Sequence, residues 1–261
     1  MFKRRRKTNR SLTDEQQERY SQQMALPGMT LERQLRLSQS TVVVLGLNSC
    51  GATCALHLAQ SGVGKLVLVD ADQVKLADLA SHPLLTLADI GRLKVDAIAS
   101  RLAEVTDEVH VEVRKQHFDA HNAESLLHEA DLAVEGLTNW QDKLLASDNC
   151  MRVLKPLIHA GIIEFSFHVF SMMPGKSACL RCVFNSLGLD DLPAAGPGRG
   201  ELGAIAGLAG AFQAAEAIKI ITRLGTISGN HLLRFDVLRS EFDDMTRLIG
   251  RSDCPDCGRW G

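Results

Sequence analysis

Four of the seven cysteines in this 261-residue sequence form two Cys-x-x-Cys pairs, Cys179/Cys182 and Cys254/Cys257. Four thiolates in two such pairs can supply the four corners of a tetrahedral zinc site. Two redox dithiols are the competing chemistry, but a redox pair usually opens a helix after a strand. The second pair stands in Cys254-Pro-Asp-Cys257-Gly258, with too little chain after it for a helix. The spacing therefore points to one structural Zn²⁺ without a redox role, tying the C-terminal segment to a loop in the middle of the fold. The other thiols, Cys50, Cys54 and Cys150, are odd in number and lie in helical patterns, which fits a reducing cytoplasm better than a disulfide scaffold. Cys50 stands at a helix N-terminus, where a thiol's pKa tends to fall. A nucleophilic or redox role is the sharp reading for it, and filler in a degenerate loop is the one favoured.

A second centre of chemistry lies in Gly46-Leu-Asn-Ser-Cys-Gly51, between an apolar β-branched run and a helical segment. Such a loop sets backbone N–H groups and a helix N-terminus against phosphate. Gly46 and Gly51 hold its outer positions, with Ser49 between them, while Asn48 replaces the middle glycine. Asn tolerates left-handed backbone angles, so the turn survives with less room above it. Asp70, ending the next strand with Asp72 just beyond, stands where a carboxylate accepts ribose hydroxyls. His159 ends another buried strand at the same carboxyl edge and is a weaker candidate; His57 reads as a packing or surface residue.

The elements that must position these groups alternate. Thr13-Asp-Glu-Gln16 is a capping box for a polar helix through Met24, and Leu31–Leu37 is a second short helix. Strands are expected at Thr41–Leu45, Lys65–Val69, Val109–Val113, Asp131–Glu135 and Pro156–Ala160. Helices are expected between them at Ala52–Ser61, Leu93–Val105, Ala123–Ala130 and Trp140–Leu154. That alternation specifies an α/β, Rossmann-like, mostly parallel sheet with right-handed crossovers. From Glu164 the pattern becomes antiparallel: Phe165–Met172, His231–Leu238 and Glu241–Leu248 read as strands, with Phe165, Phe167 and Val169 as a core stripe. A Gly/Pro-rich crossover runs from Gly188 to Gly200, and Leu202–Leu224 is one long helix rich in small residues. The resulting division is a basic tail (1–12), N-terminal helices (13–40) and a main domain (41–261), with a nucleotide-binding half (41–162) and a zinc and dimer half (163–261).

Net charge of −2 and an aromatic share of 5% argue against a general nucleic-acid or membrane-surface protein. Lys3, Arg4, Arg5, Arg6, Lys7 and Arg10 crowd the N-terminus without a following apolar core, so they read as a solvated tail rather than a signal peptide. No apolar run is expected to span a membrane.

Several segments together resemble the ThiF/MoeB/HesA family, bacterial relatives of ubiquitin-activating enzymes. They are Arg19-Tyr-Ser-Gln-Gln, the stretch from Gly62 to Asp72, Gly91-Arg-Leu-Lys94, the two cysteine pairs, and the stretch from Gln213 to Lys219. The resemblance covers nearly the whole chain from Arg19 onward. It implies adenylation of the C-terminal glycine of a small ubiquitin-like or sulfur-carrier protein with MgATP, usually by a homodimer. Asp70 matches the family's ribose aspartate and Lys94 its phosphate lysine. Five positions depart. The arginine that reaches the partner's ATP falls at Gln22; the triphosphate-facing asparagine and arginine fall at Asp78 and Ser81. The magnesium-associated aspartate falls at Thr138 of Glu135-Gly-Leu-Thr-Asn139, and the cysteine of some members falls near Gly196.

Losing one arginine-type stabiliser of a phosphoryl transition state costs about 10³–10⁵ in rate. Arg92, Lys75 or His82 are the candidate substitutes for the cation, and Glu135 or Asp142 for the metal carboxylate. Two functions follow: a catalytically degenerate carrier-binding scaffold or inactive half of a heterodimer, and an active adenylyltransferase. The first is favoured, because the losses cluster at ATP positions while the zinc pairs survive.

Overall fold

A computed structural model describes residues 11–186, 200–227, 229–246 and 250–258. The basic cluster Lys3–Arg10 and most of the Gly188–Gly200 crossover, Gly196 included, lie outside the described residues.

The β-branched run Thr41–Leu45 (β1) is buried on both faces, because its neighbours carry apolar runs of the same length. It pairs in parallel with Lys65–Val69 (β2) and with Leu132–Glu135 (β4), so that Val43 lies between Val67 and Ala133. His110–Arg114 (β3) extends the sheet beyond β2, and Leu157–Ile163 (β5) beyond β4, both parallel. Direction then reverses. Ser166–Met172 (β6), His231–Asp236 (β7) and Glu241–Thr246 (β8) are antiparallel, giving the order β3-β2-β1-β4-β5-β6-β7-β8 among the described residues. This is the expected mostly parallel sheet that turns antiparallel after Glu164.

Side chains of β1 alternate between two cores. Val42 and Val44 face the layer of Ser49–Gln60 (α4), Lys94–Val105 (α5) and Gly203–Thr222 (α9). Val43 and Leu45 face the layer of Ala123–His128 (α6), Trp140–Arg152 (α7) and Leu180–Ser186 (α8). The short α8 was not expected from the sequence, and the Cys179/Cys182 pair stands at its start.

The N-terminal helix is two helices. Asp14–Arg19 (α1) opens with the expected capping box at Thr13, and Ser21–Met24 (α2) follows. Between them Tyr20 turns its ring onto Gly62, where a Cβ would lie 2.6 Å from Tyr20 Cζ. Packing there overrides the continuous helical pattern. Leu31–Gln39 (α3) is anchored by Arg33, which donates to the carbonyls of Thr222 and Arg223 at the end of α9. Phe167 and Val169 are buried as expected, but Phe165 precedes the strand and is 46% exposed.

Among the described residues one helix, α9, is long and apolar enough to cross a membrane by length and composition, contrary to expectation. Here it is a core helix. Gln213 donates to the Glu135 and Ile158 carbonyls, and Glu216 accepts from Ser171 Oγ at 2.7 Å. A Cβ at Gly210 would lie 2.4 Å from the Cys50 carbonyl oxygen, so α9 and α4 meet backbone to backbone. Nothing lies within 4 Å of a Cβ at Gly207. Gly210→Ala should therefore cost about 1–3 kcal/mol from overpacking. Gly207→Ala should gain up to about 1 kcal/mol from helix propensity. Urea denaturation of the two variants checks the contrast; equal effects would contradict this packing.

Candidate functional site

In an open α/β sheet the crevice for ligands forms where strand order reverses, outside the carboxyl ends of the strands. Here that point lies between β1 and β4. A cavity of about 200 Å³ sits there, lined by Gly46, Asn48, Asp70, Asp72, Lys94 and the Gly136–Asn139 segment, with Val69, His117, Phe118 and Asp142 completing it. Of three glycines that meet there, Gly46 and Gly136 line it and Gly51 packs behind them. Gly46 has φ +81°, and a Cβ on it would meet the Gly136 carbonyl at 2.5 Å. A Cβ on Gly51 or Gly136 would fall 2.5 or 2.6 Å from the Gly46 carbonyl. Gly136 was not singled out from the sequence, although its place after a buried strand was a usable signal.

Asn48 does not stand in for a glycine. Its φ is −68°, and its side chain caps α4 by accepting the Gly51 N–H at 2.9 Å. The helix therefore starts at Ser49, three residues before the expected Ala52. Gly51 and Ser49 lie behind the cavity rather than on its wall, and Ser49 Oγ bonds Ser81 Oγ at 3.0 Å.

Asp70 accepts the Leu47 and Asp72 N–H groups, each at 2.7 Å. Burial outweighs these bonds and holds its carboxyl above the usual range. Lys94 Nζ lies 3.9 Å from Asp72 and 3.6 Å from Asp78. Asp78 also closes its own turn, accepting the Lys75 N–H at 2.8 Å.

Two of the three candidate cations are accounted for. Arg92 is committed to the buried Asp89 at 2.6 Å. His82 is buried, and desolvation lowers its pKa to about 4, leaving a neutral ring bonded to the Leu47 carbonyl. Lys75 is not among the cavity residues. Of the candidate metal carboxylates, Asp142 lines the cavity and Glu135 does not.

Glu135 instead anchors a buried polar cluster. Lys143 Nζ reaches its two oxygens at 2.9 and 2.8 Å and the Ala160 carbonyl at 3.1 Å. His159 Nδ1 stands 2.5 Å from Glu135 Oε1, and His159 Nε2 stands 3.0 Å from His168 Nε2. Burial alone would raise the Glu135 carboxyl, but Lys143 and His159 hold it below its usual range. Burial lowers both imidazoles, His168 most. His159 was a weak candidate from the sequence; Lys143 and His168 carried no signal, since their pairing is a tertiary fact.

The four paired cysteines converge. Their Sγ atoms all lie within 4.8 Å of one another, with Cys179–Cys254 at 3.6 Å and Cys182–Cys257 at 3.5 Å. A tetrahedral site with metal–sulfur bonds of about 2.3 Å needs sulfurs roughly 3.8 Å apart, so the donor set and its size fit a thiophilic divalent metal. The Arg251 N–H donates to Cys182 Sγ at 3.3 Å, as thiolate ligands commonly require. Cys50, by contrast, is buried and its thiol is pushed up by desolvation, which makes it filler rather than a nucleophile.

Three buried histidines with lowered pKa values set the acid side of stability. Unfolded, each binds a proton near pH 6.5; folded, each binds it only at lower pH, near 4 for His82. The unfolded chain thus takes up more protons across that interval, and stability falls as pH drops from about 6.5 towards 4. Each histidine contributes a slope of up to about 1.4 kcal/mol per pH unit. Urea titrations at several pH values should show this loss; a flat profile between about pH 7 and 5 would contradict it.

Comparison with known proteins agrees with this geometry. The ThiF family pattern matches residues 20–256. The heterocyst protein HesA of Trichormus variabilis is 33% identical over 248 residues, covering 95% of this chain and 91% of that protein. The adenylyltransferase and sulfurtransferase MOCS3 of Aedes aegypti is 31% identical over 240 residues, with 92% of this chain matching 55% of that longer protein. Among solved structures, E. coli MccB with ATP superposes with a TM-score of 0.77 at 24% identity, over 92% of this chain and 74% of that one, which establishes a shared fold. The chain belongs to the ThiF family.

Proposed function

We propose that this chain is a carrier-binding member of the ThiF family whose nucleotide site has fallen below catalytic strength. The observation that supports this reading is the charge around Lys94. Asp70, Asp72 and Asp142 line the cavity with it, no arginine does so among the described residues, and Asp78 approaches its ammonium from behind. A triphosphate needs cations where its charge develops, and here the lysine already stands within 4 Å of Asp72 and Asp78. The cavity is also smaller than the roughly 300–1,000 Å³ usual for ligand sites, which suits weak binding of part of a nucleotide.

In this reading Asp70 holds the ribose, and the Gly46–Gly51 turn and Lys94 hold phosphate weakly. The partner is a small ubiquitin-like or sulfur-carrier protein, whose C-terminal tail threads the Gly188–Gly200 crossover. The chain pairs as a homodimer, or with a related intact subunit, through the half beyond Glu164. Leu208 of α9 and Phe242 of β8, 41% and 60% exposed, offer apolar surface there. Zn²⁺ is the fitting occupant of Cys179, Cys182, Cys254 and Cys257; it would act as a crosslink between α8 and the C-terminal turn.

The alternative is an active adenylyltransferase, and one observation favours it. Asp142 stands in the cavity one turn from Thr138, where a carboxylate has reach to a Mg²⁺ held against phosphates. Its Oδ2 already accepts from Asn139 Nδ2 at 2.6 Å.

Carrier-dependent ATP–pyrophosphate exchange separates the readings. The unmodified homodimer should exchange at least about 10³-fold more slowly than an intact family site supports. Gln22→Arg, Ser81→Arg, Thr138→Asp and Asp78→Asn combined should raise the rate. Robust exchange by the unmodified protein, abolished by Lys94→Ala, would instead establish the enzyme.

Elemental analysis should find one zinc per chain, and Cys254→Ser should lose it together with a large drop in melting temperature, since metal binding is coupled to folding. Substoichiometric zinc in freshly purified protein would sink the metal reading.

A further inference from the structure

The cluster behind the cavity is a continuous chain of hydrogen bonds that ends on the cavity wall. The Leu137 N–H, in the Gly136–Asn139 segment, donates to Glu135 Oε2 at 3.1 Å. Glu135 Oε1 then meets His159 Nδ1, and His159 Nε2 meets His168 Nε2. Glu135, Lys143, His159 and His168 are each no more than 5% exposed. Trp140 and Phe184 close over His159 with ring centroids 5.8 and 5.3 Å away.

Donor and acceptor roles follow from chemistry. A carboxylate only accepts, so His159 Nδ1 carries a proton. The two Nε2 atoms at 3.0 Å share one proton between them, because two would face each other. With both rings neutral, that proton belongs to His168. The cluster then balances, one carboxylate against one ammonium.

Further charge would meet an unfavourable setting. Besides Glu135 on β4, the groups facing the imidazoles are Lys143 on α7 and Arg234 on β7. From α4, Cys50 faces Glu135 and Lys143 as a thiol, and from α9 come the uncharged Gln213 and Glu216, which is bonded to Ser171 and Lys219. An added proton enters at His168 Nδ1; the Nε2 proton crosses to His159 Nε2, and the pair becomes cationic beside Lys143.

We propose that Glu135, Lys143, His159 and His168 form a positioning relay, in which the neutral imidazole pair leaves Glu135 free to hold the Leu137 amide and protonation of the pair draws Glu135 away and loosens the cavity wall. None of the four touches the ligand, so they act through Leu137. The consequence for ligand rests on the nucleotide reading of the cavity; the movement of the wall does not.

The test uses ¹⁵N-labelled full-length protein and His168→Gln, whose carboxamide N–H can still donate to His159 but does not titrate. As pH falls below about 6.5 the wild-type Leu137 amide should shift with the same midpoint as the imidazole nitrogens, which burial places below the ordinary histidine range. In His168→Gln the amide should stay fixed. MgATP affinity should fall with acidification about five-fold more in wild type than in His168→Gln, the equivalent of one net hydrogen bond; this ratio cancels the titration of ATP itself. An amide that ignores the imidazole midpoint, or identical pH profiles in both proteins, overturns the relay. If neither protein binds MgATP at any pH, the nucleotide reading falls, and the amide titration still decides the relay. His168→Phe also removes the titrating ring and should likewise leave the Leu137 amide fixed; if it does not fold, His168→Gln carries the test alone.

Discussion

The approach of three backbones at Gly46, Gly51 and Gly136 is the constraint on which the rest of this molecule depends. A side chain at any of the three would start within 2.6 Å of a carbonyl oxygen, and Gly46 also needs a positive φ. Because they meet, the end of β1, the first turn of α4 and the end of β4 share one point, and the crevice at the strand-order reversal is fixed before any ligand chemistry is added. The same contact sets Asp70 against the Leu47 amide and places the Gly136–Asn139 wall over the buried cluster.

Around that fixed point, polar groups have been divided between two environments with opposite energetics. In the cavity, water screens the charges, and several carboxylates share one lysine without a prohibitive penalty. Behind the wall the same imbalance would cost several kcal/mol per unpaired ion, and there each charge is matched: Lys143 spends its three protons on Glu135 and Ala160. A buried pair of this kind is weak evidence for net stability. Its worth is geometric, since Glu135 links β4, β5 and α7 and fixes the Leu137 amide as well.

Much of this architecture was legible in the sequence because it rests on local regularities. β1 and β2 were read to the residue, as their β-branched runs are buried on both faces and bounded by glycine. The capping box at Thr13 and the cysteine pairs were legible because their spacing is the chemistry. Failures fell where a tertiary contact overrode a local pattern. Tyr20 breaks a continuous helical stretch to reach Gly62, and Phe165 continues an alternating stripe but sits outside the strand. Asn48 looked like a defect in a glycine loop and is a helix cap. The pairing of His159 with His168 depends on the β5–β6 register, which places Gly161 opposite His168 and leaves room for its ring against a residue without a side chain.

On the proposed reading, the fold outlasts its catalytic machinery for a physical reason. What holds the crevice open is backbone and glycine, with a capped helix and a matched ion pair behind it, and each of these is destroyed by a single poor substitution. What catalyses adenylyl transfer is the far end of long side chains, placed on an already finished surface. Gln22, Ser81 and Thr138, where the family resemblance implies ligand-facing groups, occupy exposed or half-buried positions rather than the core. Such positions can change without unfolding the chain. On that reading the selective loss needs no special protection of the fold: the physical cost of losing scaffold residues is high, and that of losing ligand-facing cations falls on the reaction alone.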